Sequence, residues 1–252
     1  MLLLATCAAA GGSADAWVSR MGAHWDRWEA FNHQGTREWS LLDVTEELDS
    51  DGRVTSTETL RYQVVRVEGR AYHRLVEHNG VALPPDEARR EQRDEQEFRD
   101  ATRQARRAGR ALPEDRDHIR LDAAFLRKYD FSEAGDAPCG EASCRLLVFK
   151  ARPAGGLTLR PQALVLRHLE GRAWADPVSG GVPLLEARLP FPVRIGLVAV
   201  VIDQVDLRYQ QRMLDEGTWV PARVELTLNG RALFKRFHQR RVATWQWDRP
   251  AP

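Results

Sequence analysis

The sequence predicts an α+β fold that is mainly antiparallel β: a strongly curved, half-open β-barrel with an N-terminal helix and a long charged helix. Most of the chain alternates apolar and polar residues with a period of two, and turn signals separate the alternating stretches. Two segments have a helical pattern instead, one near the N-terminus and one in the middle. About ten antiparallel strands joined mostly by hairpins favour a curved sheet or partial barrel.

The composition is that of a globular protein. Hydrophobic residues make up 43% and charged residues 29% of the 252 positions, which excludes a disordered polymer and a multi-span membrane protein. The 37 basic and 36 acidic residues give a net charge of +1, so no nucleic-acid partner is expected. No interdomain linker interrupts residues 17–247, which are interpreted as a single domain followed by a tail at 248–252.

Residues 1–16 are interpreted as the remnant of a signal sequence or of a lipoprotein signal. They form a short apolar run followed by small residues, with Ala-Asp-Ala at 14–16 as a small-x-small cleavage site. The positive n-region is missing, which a start codon placed too far downstream would explain. Leu-Ala-Thr-Cys at 4–7 also resembles a lipoprotein box, in which Cys7 would be acylated and would attach the protein to a membrane surface. A frayed N-terminus of a cytoplasmic protein stays open as the alternative.

The first helical segment spans residues 17–33. Its apolar side chains recur every three or four positions, as in an amphipathic helix packed on a sheet, and Gly35 ends it. The stripe comprises Val18, Met21, Trp25, Trp28 and Phe31.

The second helical segment is a charged insertion at residues 84–110, with the helix itself from Asp86 to Ala108. Its acids lie early and its arginines late, as the helix dipole favours, and Gly109 is the expected stop. The apolar stripe is thin, so we expect the helix to be held weakly, across or beside the open face of the barrel. Two interpretations stay open: a solvated surface insertion, and a movable cover over a cavity.

The strands follow in order after Arg37. A short apolar helix or turn is predicted at 163–169, and Asn79-Gly80 and Asn229-Gly230 predict tight turns, the second of them in the last hairpin. Strands are predicted at 42–48, 54–67, 72–77, 125–132, 144–151, 172–176, 182–189, 195–202, 219–228 and 232–247. Residues 204–214 either continue the strand at 195–202 or follow it as a further strand.

Two cysteines lie close together in a turn-rich stretch. Cys139 and Cys144 favour a disulfide in an oxidising compartment. A metal site is the alternative, but no second cysteine pair or nearby histidine completes one.

The sequence contains no recognisable catalytic motif. It lacks the nucleophile elbow, the zinc-protease helix, the phosphate loop and the dinucleotide fingerprint, and its seven histidines are scattered. Asp176 and Ser179 are interpreted as turn formers of a hairpin. No enzyme activity, no metal and no cofactor is therefore expected.

Aromatic and aliphatic side chains on the predicted strands are the candidates for ligand binding. One interpretation is core packing between sheet and helix; the other is that part of the apolar face lines a cavity for an apolar ligand. The candidate ligand-binding residues are Trp39, Tyr62, Val64, Phe149, Trp174, Leu184, Val224, Leu226 and Phe234.

Three stretches resemble a known family. They are Leu-Glu-Gly-Arg-Ala-Trp-Ala-Asp at 169–176 with Gly-Gly-Val-Pro-Leu-Leu-Glu at 180–186, Asp-Glu-Gly-Thr-Trp-Val-Pro at 215–221, and Gly-Arg-Ala-Leu-Phe-Lys at 230–235. In this order they resemble bacterial envelope proteins of the outer-membrane lipoprotein-sorting superfamily, which is similar to the LolA/LolB-type carriers. The resemblance implies an incomplete β-barrel with helices across its open face and an interior that holds acyl chains. The residues with which those carriers hold lipoproteins have no match here, so none is carried over.

Three hypotheses of function follow. The first is an exported, periplasmic or outer-membrane-anchored, monomeric binding protein that holds a lipid acyl chain or another apolar ligand in the concave face of the sheet. The second is an envelope module with a filled core that binds a protein partner through the helix at 86–108. The third is a hydrolase with dispersed site residues around Asp176 or His73.

Overall fold

The computed structural model describes residues 14–34, 39–113, 122–140, 142–152, 165–195, 200–214, 217–233 and 235–247. Residues 1–13 of the predicted signal remnant, including Cys7, lie outside these ranges, as do the predicted tail at 248–252 and the candidate Phe234. The last three residues of the predicted remnant, Ala14 to Ala16, form the start of α1. The described residues form three helices, which are α1 (Ala14–Gln34), α2 (Pro85–Arg107) and the short α3 (Ala123–Leu126). None of these three helices combines the length and apolar content that crossing a membrane requires.

The described strands form one antiparallel sheet. Its order is β4-β3-β2-β1-β12-β11-β10-β8-β7-β6-β5, and β9 pairs with β10 beside this path. The strands are β1 (Trp39–Leu48), β2 (Val54–Val67), β3 (Arg70–His78), β4 (Val81–Ala82), β5 (Tyr129–Cys139), β6 (Ala142–Ala151), β7 (Glu170–Ala175), β8 (Leu184–Arg188), β9 (Val193–Ile195), β10 (Val200–Met213), β11 (Trp219–Ala232) and β12 (Lys235–Trp247).

Helix α1 shows that the sheet is curved. Trp17 near its start donates from Nε1 to Glu133 on β5 at 2.8 Å, and His33 near its end accepts from the backbone N–H of Ala71 on β3 at 3.2 Å. Eight strands separate β5 from β3 in the sheet order, so a flat sheet would place them about 43 Å apart at ~4.8 Å per strand. A helix of 21 residues is only about 31 Å long. The sheet therefore curves around α1, and the face that carries α1 is concave.

Two core clusters pack between α1 and the concave face. The first joins Trp17, Val18 and Met21 to buried residues of β5 to β10, and the second joins Trp25 and Trp28 to β1, β2, β3, β11 and β12. Every predicted stripe residue of the helix except the partly buried Phe31 is buried. Burying such large side chains is worth about 1.5–3 kcal/mol each, so α1 is a principal source of stability.

Helix α2 packs on the opposite, outer face of the sheet. Tyr72 donates to the buried Glu91 at 2.9 Å, Arg74 pairs with Glu95 at 2.7 Å, and Tyr72 also stacks on Phe98 at 5.2 Å. Tyr72 and Arg74 lie on the face of β3 opposite to that of Ala71, which faces α1. The helix therefore does not lie across the concave face, and the interpretation as a cover of that face is wrong. The cause is the thin apolar stripe of α2. A helix with so few apolar side chains is more stable when it forms ion pairs on a charged outer face than when it is buried in an apolar interior.

The ends of α2 confirm the sequence signals. Pro85 occupies its first turn, and Gly109, the predicted stop, has a φ of 58° that residues with a side chain rarely adopt. The Asn79-Gly80 turn is also confirmed, with φ values of 51° and 75°.

Three local predictions were wrong. The residues at 125–128 do not begin a strand, because Asp122 caps the short helix α3 by accepting from the backbone N–H of Phe125 at 2.8 Å. The apolar stretch at 195–202 is two strands rather than one, since Ile195 at the end of β9 lies opposite Val200 at the start of β10.

The third difference concerns Asn229-Gly230, which lies inside β11 rather than in a turn. A side chain at Gly230 would place its Cβ 2.4 Å from the carbonyl oxygen of Val201 and 2.6 Å from the Phe237 ring. Glycine is needed here because a ring packs on the strand. The turn itself follows at Leu233, whose φ is 56°.

Candidate functional site

The strand register places the concave side chains in rows across the sheet. One row, read through successive pairings, consists of Leu60, Asp43, Ala243, Val224, Tyr209, Leu185, Ala173, Leu147 and Glu133. The next row away from α1 consists of Glu58, Thr45, Arg241, Leu226, Leu207, Ala187, Gly171, Phe149 and Phe131. Most positions on β11 to β6 are apolar, and polar side chains concentrate on β1, β2 and β12.

Partly buried apolar side chains lie on this face in two groups, one on β2 and one on β11, with β1 and β12 between them. We call them the apolar strip; they are Leu60, Tyr62, Val224, Leu226 and Leu228. Helix α1 packs toward the end of the sheet where β1 begins and β12 ends, as shown by the ring contact of Trp28 with Trp247 at 5.4 Å. The strip continues from there toward the opposite end of the strands, and its side chains keep some solvent contact.

An ion pair lies between the two groups of the strip, on β1 and β12. Arg241 on β12 donates from Nε to both carboxylate oxygens of Asp43 on β1, at 2.9 and 3.0 Å, and from Nη2 at 2.6 Å. The Asp43 side chain is 3% exposed and that of Arg241 is 47% exposed. Burying a carboxylate costs free energy unless it is paired with a cation and hydrogen-bonded. The bidentate contact with Arg241 provides both the opposite charge and the hydrogen bonds.

Six of the nine candidate ligand-binding residues share the concave face. Trp39 and Val64 are buried in the second core cluster and Phe149 in the first, so these three contribute to the packed core. The other three, Tyr62, Val224 and Leu226, belong to the apolar strip and are only partly buried.

Trp174 and Leu184 lie on the outer face and cannot join the others. They are opposite each other on β7 and β8, and their neighbours Ala173 and Ala175 are the residues that face the core, at 1% and 0% exposure. The physical reason is the proximity of β7 and β8 to α1 and the first core cluster, which leaves room for small side chains on the inside and places the larger ones outside.

A buried histidine lies where α1 meets the hairpin between β7 and β8. His24 is 4% exposed, and its Nε2 has no hydrogen-bond partner among the described residues. Burial, and secondarily the charge of Arg27, lower the pKa of His24 from 6.5 to about 4, against the smaller opposing effects of Asp176 and the backbone of Trp219. His24 is therefore neutral in the folded protein at ordinary pH.

Asp176 acts in this hairpin as a turn former, as predicted. Its carboxylate accepts from the backbone N–H of Val178 at 3.0 Å, from the hydroxyl of Ser179 and from Nε1 of Trp219 at 3.1 Å. These hydrogen bonds lower the pKa of Asp176 although burial opposes them. His73, the other residue of the hydrolase hypothesis, packs edge-on against Trp39 at 5.0 Å in the other core region.

The outer face has a cleft of about 480 Å³ between β3 and α2. Ion-paired and hydrogen-bonded side chains, among them Arg74, Glu91 and Glu95, line it. In the part of the chain that the structure describes, no three histidine, cysteine, aspartate or glutamate side chains gather as metal ligands.

The predicted disulfide is present. Cys139 and Cys144 are joined across the β5–β6 hairpin with a Cα–Cα distance of 5.8 Å.

Asp43 and Arg241 carry no signal of a site in the sequence. The alternation of Leu42 and Val44 in β1 suggests that these two residues face the core, but the buried side is the one with Trp39, Leu41 and Asp43. Only a knowledge of which strands are neighbours shows that Arg241 compensates the charge of Asp43.

Comparison with known proteins finds distant likenesses among solved structures. No protein-family model and no curated protein matches the sequence. Among solved structures, the chain is similar to an outer membrane lipoprotein-sorting protein domain from Vibrio parahaemolyticus, with 9% identity, a TM-score of 0.38, and coverage of 93% of this chain and 95% of that one. It is also similar to a DUF1329 family protein from Desulfovibrio piger ATCC 29098, with 11% identity, a TM-score of 0.33 and coverage of 93% and 95%. MucB in complex with MucA(peri) matches with 11% identity, a TM-score of 0.27 and coverage of 93% and 94%. The first of these neighbours is a lipoprotein-sorting domain, the class of protein that the three sequence stretches resemble.

Proposed function

We propose that this protein is an exported, non-enzymatic binding protein that holds a lipid acyl chain or a similar apolar ligand against the apolar strip. The observation that carries the proposal is the partial exposure of this strip on the concave face that also holds the two core clusters, the first of which Leu226 and Leu228 contact. A curved apolar surface between packed flanks is the usual form of a site for an apolar ligand.

The binding free energy would come from apolar burial. Each methylene group removed from water contributes about 0.8 kcal/mol, so a chain of ten or more carbons gains enough to offset the cost of association. The polar side chains of β1 and β12, among them Thr45 and Arg241, would remain at the border of the site.

Export rests on two features. The N-terminal residues resemble the end of a signal sequence, and the Cys139–Cys144 disulfide is typical of an oxidising compartment. Both fit a periplasmic or outer-membrane-anchored protein, with Cys7 as the residue that would carry the anchor.

The test places one charge on each face of the sheet. Val224→Glu introduces a carboxylate into the apolar strip, and Val148→Glu introduces the same group on the outer face, where Val148 is 40% exposed. The purified wild type should release bound lipid on organic extraction, detected by mass spectrometry, and Val148→Glu should retain it. Val224→Glu should lose at least tenfold of the bound lipid. Equal lipid content in both variants, or none in the wild type, contradicts the proposal.

A second candidate function, binding of an envelope protein partner, is favoured by the position of α2. This helix is fixed to the outer face by polar contacts and turns exposed arginines, including Arg89 and Arg93, to solvent. Its test is capture of a partner from envelope extract by the wild type and by Arg89→Glu/Arg93→Glu. A partner that binds both equally does not use α2.

A further inference from the structure

The free edge of β5 suggests that two copies of this protein associate. β5 is the last strand in the sheet order, and β6 is its neighbour among the described strands. A strand at the edge of a sheet presents backbone N–H and C=O groups with which a strand of another chain can pair. We propose that β5 pairs antiparallel with β5 of a second copy, with the two Phe131 residues opposite each other on a two-fold axis. This inference goes beyond the proposed function and does not depend on it.

The pairing of β5 with β6 shows which backbone groups face outward. The backbone N–H of Arg152 donates to the carbonyl oxygen of Lys128 at 2.8 Å, just before β5 begins. The direction of these groups alternates along a strand, so Asp130 and Ser132 also bond to β6. The residues whose backbone groups face the free edge are therefore Tyr129, Phe131 and Glu133. In the part of the chain that the structure describes, their outward N–H and C=O groups make no hydrogen bond.

The part of β5 that can accept a further strand is short. Its register with β6 shifts between Glu133 and Asp136, and Gly135 in this bulge has a φ of 99°. Further along, Pro138 has no N–H to donate. Bulges and prolines stop a strand from being added at an edge. Because α3 and its turn precede Tyr129, the stretch that remains regular and free is Tyr129 to Glu133.

The sequence of this stretch is complementary to itself. With Phe131 opposite Phe131 of the second copy, Asp130 lies opposite Ser132, and Tyr129 lies opposite Glu133. No two carboxylates are then opposite each other, whereas a register centred on Asp130 or on Glu133 would oppose like charges, which destabilises a sheet. The same register brings the outward backbone groups of both copies together, and each such pair of residues exchanges an N–H···O bond in both directions.

Phe131 supplies the apolar part of the contact. Its ring is partly buried on the concave face and lies 5.8 Å from the ring of Phe149 on β6. Pairing places the second copy's Phe131 on its other side, and aromatic pairs across neighbouring strands stabilise a sheet. Five residues per copy give a small contact, so we expect a weak dimer that forms at high micromolar concentration. Dilute protein is then the monomer that the sequence predicts.

The experiment changes one exposed side chain at the edge. The full-length wild type is studied by analytical ultracentrifugation from about 10 μM to about 1 mM and should show a monomer–dimer equilibrium. Ser132→Asp places a carboxylate opposite Asp130 of the second copy, twice in each dimer, and should raise the dissociation constant at least about threefold. Ser132→Lys places a cation there instead and should lower the dissociation constant by a similar factor.

Matched control variants make the same charge changes far from the edge. Thr227 lies on the outer face of β11, five strands from β5 in the sheet order. Thr227→Asp and Thr227→Lys should keep the wild-type dissociation constant, because charges so far apart are screened by salt.

Hydrogen exchange of single amides, followed by NMR, tests whether β5 is the surface that pairs. The N–H groups of Phe131 and Glu133 should exchange fast in dilute protein and slow as the concentration rises. Those of Asp130 and Ser132 should be protected at every concentration, because they bond to β6. This alternation along one strand is specific to pairing at its edge.

Three results would overturn the inference. One is a protein that stays monomeric at every concentration, in which case the edge is left to a strand of a different protein. Another is a dimer in which the amides of Phe131 and Glu133 stay unprotected, which would mean that a different surface associates. The last is a dissociation constant that Ser132→Asp and Ser132→Lys change no more than the Thr227 variants do. Lipid extraction measures the proposed function separately, so failure of one proposal leaves the other standing.

Discussion

Protonation of His24 should couple the stability of the fold to pH. The ring is 4% exposed between α1 and the β7–β8 hairpin, and its pKa is about 4 in the folded protein against 6.5 in the unfolded chain. Below pH 6.5 the histidine is protonated in the unfolded state, whereas in the folded state it stays neutral until the pH is near 4. Stability therefore falls as the pH decreases through this window. The difference between the two pKa values corresponds to about 3 kcal/mol at ~1.4 kcal/mol per pH unit.

The assay is urea unfolding followed by tryptophan fluorescence at several pH values between 7 and 4. His24→Gln removes the titrating group and keeps a polar side chain of similar reach. Between pH 7 and pH 4, the wild type should lose about 3 kcal/mol more of its unfolding free energy than this variant does. Met21→Leu, a change of similar volume at another buried position of α1, should show the wild-type pH dependence. Parallel pH profiles for the wild type and His24→Gln would refute the reasoning.

Two further predictions concern the disulfide and α2. Replacing both Cys139 and Cys144 by serine should lower the unfolding free energy by about 2 kcal/mol, because the disulfide closes a short loop. Calorimetry with and without a reductant measures this effect. The prediction is contradicted if the reductant lowers the melting temperature of the double variant as much as that of the wild type. Tyr72→Phe removes the hydrogen bond from Tyr72 to the buried Glu91 and should raise hydrogen exchange in α2 several-fold while β10 and β11 keep their protection. Unchanged exchange in α2 would mean that the other contacts of the helix suffice to hold it.

Local patterns predicted most of the elements, because helices and hairpins are encoded by neighbouring residues. The spacing of Trp25 and Trp28 on α1, the charge gradient of α2 with Gly109 at its end, and the Asn79-Gly80 turn all have short-range causes. The same reasoning failed at Gly230, because the ring of Phe237 fixes that glycine from another strand.

The faces of the strands were harder to predict than the strands themselves. In the stretch Ala173-Trp174-Ala175, hydrophobicity suggests that the tryptophan faces the core, but limited space inside selects the alanines. The candidate site shows the same limit, since Asp43 and Arg241 are 198 positions apart and meet only because β1 and β12 are neighbours.

The pairing of β1 with β12 has a consequence for biogenesis. β1 and β12, the first and last strands of the described residues, lie side by side in the interior of the sheet, with Trp39 opposite Trp247. Until β12 has left the ribosome, no strand pairing joins the two halves of the sheet, and each half exposes an unpaired edge strand. Such a chain completes its fold late, because β12 must be present before it can pair with β1, and loss of β12 would divide the sheet rather than shorten it at one edge.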